Sequence, residues 1–359
     1  METLLLRLLR YSLWRSDEKF PEQLSEEEIK KLLILAEEQT VTGLVIDALI
    51  KLQVKLPQQY VYEIIGRQTQ IKNANLDLND ALKKLIALPL GDFVVVKGQT
   101  IAALYPEPLV RMPGDIDFLV SDYHKAEDVI NRCWRVRLPE KLVDKEFAFE
   151  YNNHLYEIHT KLVAFGSKKH QCYWDSLMKE PYDRMEIDGV KIPVLESTLN
   201  ACYVFIHLFF HLVTAGVSLR QLCDWAMVLH RHKDNIEGSQ VTEILEGIGL
   251  KRAFMVLGYI VVEELGLPFE EFPMDLMDCF SLRVDIKEKW KKRILTDVFE
   301  GGSFGRKKHQ ASTGSIRKIE STGLAIRNSI KYYSLAPKEM RMMIPKLTKL
   351  NLKIIFSNT

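Results

Sequence analysis

The chain has 359 residues, 47% of them hydrophobic and 27% charged, with a formal net charge of +1. This is the composition of a globular protein with a sizeable core and room for two or three domains, and it excludes a polyelectrolyte binder acting over its whole length. The charge is uneven, however. From Ser303 to Thr359 twelve Lys and Arg stand against two acids, Glu320 and Glu339, which puts the last sixth at about +10 and the remainder at about −9.

The N-terminal stretch METLLLRLLRYSLW has Arg7 and Arg10 inside its apolar run and no small-residue cleavage site after it. It reads as an amphipathic helix rather than a signal peptide. Residues 1–88 are expected to be an N-terminal helical region. Ser25 is placed to cap a helix whose first turn holds Glu26, Glu27 and Glu28, and Gln68–Leu88 reads as a long amphipathic helix ended by Pro89 and Gly91.

The texture changes over residues 89–195. Phe93-Val94-Val95-Val96 predicts a buried strand ended by Lys97-Gly98, and Gln99–Tyr105 predicts a short helix. The turn formers Pro113-Gly114 open a second strand, Asp115–Val120, and Tyr123–Cys133 predicts a helix. Glu146–Tyr151 and His154–Val163 alternate around Asn152-Asn153, which predicts a hairpin with a two-residue turn. Val190–Leu195 predicts an edge strand. Residues 196–300 read as a C-terminal helical domain with Ser197 as N-cap, and residues 301–359 as a basic C-terminal segment. The most apolar run, Ala201–Val213, is too short for a bilayer, which needs about 20 residues. Five cysteines at 133, 172, 202, 223 and 279 show no CxxC or framework spacing. That is the usage of reduced thiols in a cytoplasmic protein. The expected fold class is α+β: a small mixed β-sheet core flanked by N-terminal and C-terminal helical regions.

Alternate residues on a strand share a face, so Asp115, Asp117 and Leu119 point one way while Ile116, Phe118 and Val120 point to the core. Two carboxylates so spaced can hold divalent cations, and a two-metal site needs one more acid nearby. Glu157, on the same face of its strand as His159 and Lys161, is that candidate. A lone DxD is most often a solvated pair, Lys97 alone a surface lysine, and Arg111 an ordinary ion-pair partner. The combination is more specific: strand, Lys-Gly, short helix, Arg, Gly, DxD strand, then an acid on a later strand.

In that combination the string VVVKGQTIAALYPEPLVRMPGDIDFLV (Val94–Val120) resembles the core of the DNA polymerase β-type nucleotidyltransferase superfamily. More narrowly it is similar to an uncharacterised bacterial group of nucleotidyltransferases. The similarity continues at YEIHTKL (Tyr156–Leu162), Ile192–His211, Leu219–Leu229 and EGGSFGR (Glu300–Arg306). It departs from the wider superfamily where Gly98-Gln99, preceded by Lys97, replaces the usual Gly-Ser, and in a longer gap before the aspartates. The resemblance implies metal-dependent transfer of a nucleoside monophosphate from an NTP to a hydroxyl or phosphate acceptor. In that reading Asp115 and Asp117 bridge two Mg²⁺ ions and Glu157 is the third acid. Lys97, Gly98, Gln99 and Arg111 are the candidate nucleotide contacts, with Gly98 allowing close backbone approach. Two alternatives keep the fold: a catalytically silent nucleotide- or partner-binding module in a biosynthetic complex, and a toxin-like transferase acting on tRNA or protein. The three intact acids favour the enzyme.

Four further residues are possible accessories beside His159, which could orient a carboxylate or bind the acceptor. His207 and His211 share a helix face, and Arg220 and Asp224 lie one turn apart. The apolar setting of the histidines also suits core or cleft positions, and an intrahelical ion pair suits the second couple. No GxxxxGK[ST] or GxGxxG occurs, so P-loop and Rossmann readings lack support. The acceptor is a small molecule, a peptide or an RNA. The basic segment suits an anionic partner (RNA, acidic peptide, phosphorylated acceptor or membrane surface) or packing against the acidic remainder.

Overall fold

Leu5, Leu8 and Leu9 are buried along the first helix, α1 (Glu2–Trp14), which makes it amphipathic as its leucine spacing predicts. The computed structural model describes residues 1–140, 142, 145–178, 182–274, 284–302 and 314–356. Cys279 and the Ser303–Arg306 part of EGGSFGR lie outside the described residues. Along the chain follow α2 (Glu26–Glu38), α3 (Thr42–Lys51), α4 (Gln58–Ile86), β1 (Phe93–Val96), α5 (Gly98–Ala102), β2 (Ile116–Val120), α6 (Tyr123–Trp134), β3 (Glu146–Tyr151), β4 (His154–His159), α7 (Lys168–Leu177), β5 (Asp183–Ile187) and β6 (Val190–Val194). The rest is helical: α8 (Ser197–Thr214), α9 (Leu219–Arg231), α10 (Gly238–Gly247), α11 (Lys251–Leu265), α12 (Val284–Gly301), α13 (Gly314–Lys331) and α14 (Pro337–Phe356). The fold is α+β, a small mixed sheet among helices.

The chain divides into two units. The first comprises Met1–Leu33, Thr42–Ala164 and Met178–Asn200, and the second Ile34–Val41, Phe165–Leu177 and Ala201–Thr359. In the first unit the four-stranded sheet runs β1-β2-β4-β3. β2 pairs antiparallel with β1 and parallel with β4, and β3 with β4 antiparallel. One sheet face is apolar: Phe93, Val95, Ile116, Phe118, Phe149, Tyr156 and Ile158 pack on Leu78, Leu82 and Leu85 of α4 and on Val129, Ile130 and Trp134 of α6. Each fully buried side chain of this size stabilises the fold by about 1.5–3 kcal/mol. This packing fixes the opposite face, where the polar residues of β2 and β4 stand.

Local chemistry accounts for several element ends. Ser25 and Glu28 form a reciprocal cap at the start of α2, with the Glu28 amide donating to Ser25 Oγ at 3.3 Å and the Ser25 amide donating to Glu28 Oε2 at 2.9 Å. The start of α8 is capped by Glu196 rather than Ser197: its carboxylate accepts from the amides of Thr198 and Leu199 at 2.8 and 3.0 Å. The helix predicted from Gln68 begins at Gln58, and the predicted edge strand is instead half of a separate two-stranded sheet, β5-β6.

The second unit is helical apart from its loops. Phe205, Trp225, Phe254 and Phe272 form an aromatic cluster with ring centroids 4.8–6.1 Å apart. Glu339 of α14 is fully buried. Its carboxylate accepts from the Gly166 and Ser167 amides ahead of α7 and lies 2.8 Å from His170 Nδ1, which fastens the last helix to α7. Helix α8 is long and apolar enough to cross a membrane by length and composition alone, and 61% of it is buried inside the fold.

Candidate active site

The register of the sheet brings the two predicted strand acids side by side. Asp117 is the direct partner of Val96 on one side and Glu157 on the other, and Glu157 in turn faces Ala148. Register partners share a face, so both carboxylates stand opposite the packed face. Asp117 is only 2% exposed, while Glu157 keeps 24% of its side chain in solvent. Asp115 sits one residue ahead of β2 and is half-buried.

Two basic side chains meet on one oxygen of Asp117. Lys97 Nζ lies 3.0 Å and His159 Nε2 2.9 Å from Asp117 Oδ1. His159 is 1% exposed, and its other nitrogen, Nδ1, lies 3.2 Å from Glu146 Oε2. That second contact is close enough for an ion pair, although it is not aligned as a hydrogen bond. Glu146 is the register partner of His159 on β3. The row Glu146–His159–Asp117–Lys97 therefore alternates acidic and basic side chains across the sheet face.

The electrostatics separate the two acids. Burial opposes ionisation of Asp117, but Lys97 and His159 outweigh it and hold its carboxyl well below the usual range. Burial pushes Glu157 up, with the neighbouring charges of Asp117 and Asp115 adding to it, to about 7. Burial works against the imidazolium of His159, yet Asp117 and Glu146 raise its affinity for the proton. His159 and Lys145 draw Glu146 down to about 2 against the effect of burial.

The Lys97-Gly98 turn has an unusual backbone. Lys97 holds φ 58 and ψ −151, a region that side-chain-bearing residues seldom occupy and that costs about 1–3 kcal/mol. Gly98 follows at φ +50, and a Cβ there would stand 2.9 Å from the Asp115 carbonyl oxygen. Gly98→Ala is therefore expected to lower the unfolding free energy by about 1–2 kcal/mol. Denaturant titration checks this, and an unchanged midpoint would show that the backbone at Asp115 yields freely.

The remaining predicted residues are placed as follows. Gln99 is buried against α4 and donates its amide to Asn79 Oδ1 at 2.6 Å and to the Asn75 carbonyl at 3.3 Å. Arg111 is 4% exposed; its Nη1 donates to the Met112 carbonyl at 3.3 Å, and its own carbonyl accepts from Asn75 Nδ2 at 2.8 Å. Asn75 and Asn79 thus hold the segments that flank the acids, α5 and the turn before β2. Their signal in the sequence was two polar residues four apart on the buried stripe of α4. Glu146 was missed as well, because only the pairing of β3 with β4 puts it behind His159. His207, His211, Arg220 and Asp224 belong to the second unit. His207 and His211 share one face of α8, with rings 4.3 Å apart, and Arg220 and Asp224 are one turn apart on α9.

One ligand atom from each of Asp117, Glu157 and His159 lies within 4.8 Å of the others, so this group could hold a metal ion. A family model described as "uncharacterised nucleotidyltransferase" matches residues 25–266, a span that contains every one of these residues. No curated protein and no solved structure matches the chain.

Proposed function

The chain belongs to that uncharacterised nucleotidyltransferase family, and we propose that its sheet-face acids direct Mg²⁺-dependent transfer of a nucleoside monophosphate from an NTP to a hydroxyl or phosphate acceptor. The observation that carries this reading is the direct juxtaposition of Asp117 and Glu157 across β2 and β4, with Asp115 close enough to raise the proton affinity of Glu157.

The residues fit a divalent cation. Asp117 and Glu157, with Asp115 one residue ahead of β2, would supply carboxylate oxygens, the ligands hard cations take, and His159 Nε2 is already engaged by Asp117. The cation, as one ion or two, would stabilise charge on the attacking and leaving oxygens. The protein residues then do the positioning. Asp117 is kept ionised by Lys97 and His159, and Glu157 is poised to take a proton from the acceptor. Lys97 and Arg111 match the charge of the donor phosphates. The acceptor oxygen forms a bond to the α-phosphorus, the bond from that phosphorus to the bridging oxygen breaks, and pyrophosphate leaves in line with the attack.

Helix α14 keeps Lys338, Arg341, Lys346 and Lys349 exposed while its acid, Glu339, is buried. That surface suits a polyanion or a phosphorylated molecule.

Cation binding should depend on pH through Glu157, which must lose its proton to act as a ligand. Below about 7 affinity should rise roughly tenfold per pH unit and level off above it. Calorimetric titration with Mg²⁺ across that range checks the sign; affinity that falls as pH rises would exclude Glu157 as a ligand. The function itself is tested by incubating each NTP, labelled at the α-phosphate, with Mg²⁺ and a cell lysate. Label should pass to an acceptor with wild type and not with Asp115→Asn/Asp117→Asn. Transfer by the double variant would remove these acids from the chemistry. A wild type that binds no Mg²⁺–NTP would be a silent module.

A further inference from the structure

We propose that Lys97 is an exchangeable counter-ion, competing with the divalent cation for Asp117 and moving to the donor phosphates as that cation binds. The inference rests on the nucleotidyl-transfer reading and specifies how its site loads.

The geometry comes from the end of β1. Val96 is in register with Asp117 and shares its face. In a continuing strand the next residue would point to the other face, among the packed side chains of Ile116 and Phe118. Lys97 does not, because its positive φ turns the chain and brings Nζ to within 3.0 Å of Asp117 Oδ1. The strained backbone thus has an identifiable result: it places an ammonium group beside a carboxylate that is 2% exposed.

Asp117 has two basic partners, and they differ in how they are held. His159 ends the inner strand β4, is 1% exposed, is flanked by β2 and β3, and has Glu146 on its far side. Lys97 has a flexible four-carbon stem, 15% of its side chain is exposed, and it stands at a strand end. A doubly charged ion beside Asp117 and Glu157 repels an ammonium on the same oxygen, and Lys97 is the partner able to leave. The phosphates of the donor then offer it a second anionic partner. His159 stays and keeps the carboxylate oriented.

A purely structural lysine and an exchangeable one make opposite predictions for cation binding. Lys97→Met removes the competitor. At a pH well above 7, where Glu157 is ionised, its affinity for Mg²⁺ alone is expected to be about tenfold tighter than that of wild type. Its melting temperature without Mg²⁺ should fall, because Asp117 loses a partner, and added Mg²⁺ should raise it by more than in wild type. Lys97→Arg, which retains the charge, should bind Mg²⁺ as weakly as wild type does. Lys97→Gln, which keeps a donor without the charge, should follow Lys97→Met and serves if the methionine variant does not fold. NTP transfer should drop in both neutral variants despite tighter cation binding. Binding to wild type with equal or weaker binding to folded neutral variants would overturn this inference alone. No Mg²⁺ binding by wild type or variants would overturn the transfer reading with it.

Discussion

Asp117→Asn is expected to abolish nucleotidyl transfer, by at least about 10³-fold in turnover, while the protein still folds. Metal-assisted stabilisation of transition-state charge is worth several kcal/mol, and each 1.4 kcal/mol is about tenfold in rate. Asparagine keeps the shape and one acceptor oxygen but not the charge that Lys97 and His159 neutralise. Its carbonyl oxygen can still accept from Lys97 and His159, which lie 3.0 and 2.9 Å from the present carboxylate oxygen, but it offers them no counter-charge. Leaving buried His159 without its anionic partner should cost about 3 kcal/mol of stability. The loss of activity should therefore exceed what the lower stability explains. Turnover measured well below the variant's melting temperature separates the two. Activity within tenfold of wild type at such a temperature would contradict the role given to Asp117.

Glu157→Gln should lose activity on a similar scale and yet stabilise the metal-free protein above neutral pH. The folded protein raises the Glu157 carboxyl from 4.5 to about 7. A carboxyl raised on folding binds more protons in the native than in the unfolded state between those values, so wild-type stability falls as pH rises through that window and then levels off. Below it the wild-type group is neutral in both states and no penalty exists. Glutamine carries no charge at any pH. The variant should thus melt higher than wild type above pH 7, with the difference shrinking to nothing near the ordinary carboxylate value. Paired thermal melts across this range, without Mg²⁺, decide the matter. A variant that melts lower than wild type above pH 7 would show that the Glu157 charge is compensated in the fold, contrary to its surroundings. Gain in stability joined to loss of activity is what a site that holds like charges together requires.

Much of this was legible from local pattern, and the limits have physical causes. β1 and β2 are short runs of β-branched and aromatic residues bounded by Lys-Gly and Pro-Gly, and the structure places β1 on the four residues predicted and β2 one residue inside its predicted start. The Asn152-Asn153 turn has the positive φ values its residues suggested, 49 and 62. In contrast β5, DRMEI, has little apolar alternation, and its pairing with β6 is what makes it a strand. The early turns of α4 expose Val61, Tyr62 and Ile65, so no buried stripe announced them.

The site divides the same way. Period-two alternation put Asp117 and Glu157 on polar faces of their strands, but their adjacency is a parallel pairing between residues forty apart in sequence, which no local rule predicts. The same pairing sets His159 beside Asp117 and brings Glu146 behind it. Lys97 suits a phosphate contact by its place after a strand, and the sequence gives no sign of the positive-φ backbone that turns it onto Asp117. Gln99 suits the same role by its place in the chain, and its amide donates to Asn79 of α4.

The central claim is that Asp115, Asp117 and Glu157 form one divalent-cation site that presents a nucleotide for transfer. Its most direct test is calorimetric titration of NTP into wild type and Asp115→Asn/Asp117→Asn, each with and without Mg²⁺, above pH 7. Wild type should bind NTP tightly only when Mg²⁺ is present, and the double variant should lose that Mg²⁺ dependence. NTP binding that is equally tight in the double variant, or indifferent to Mg²⁺ in wild type, would contradict the account.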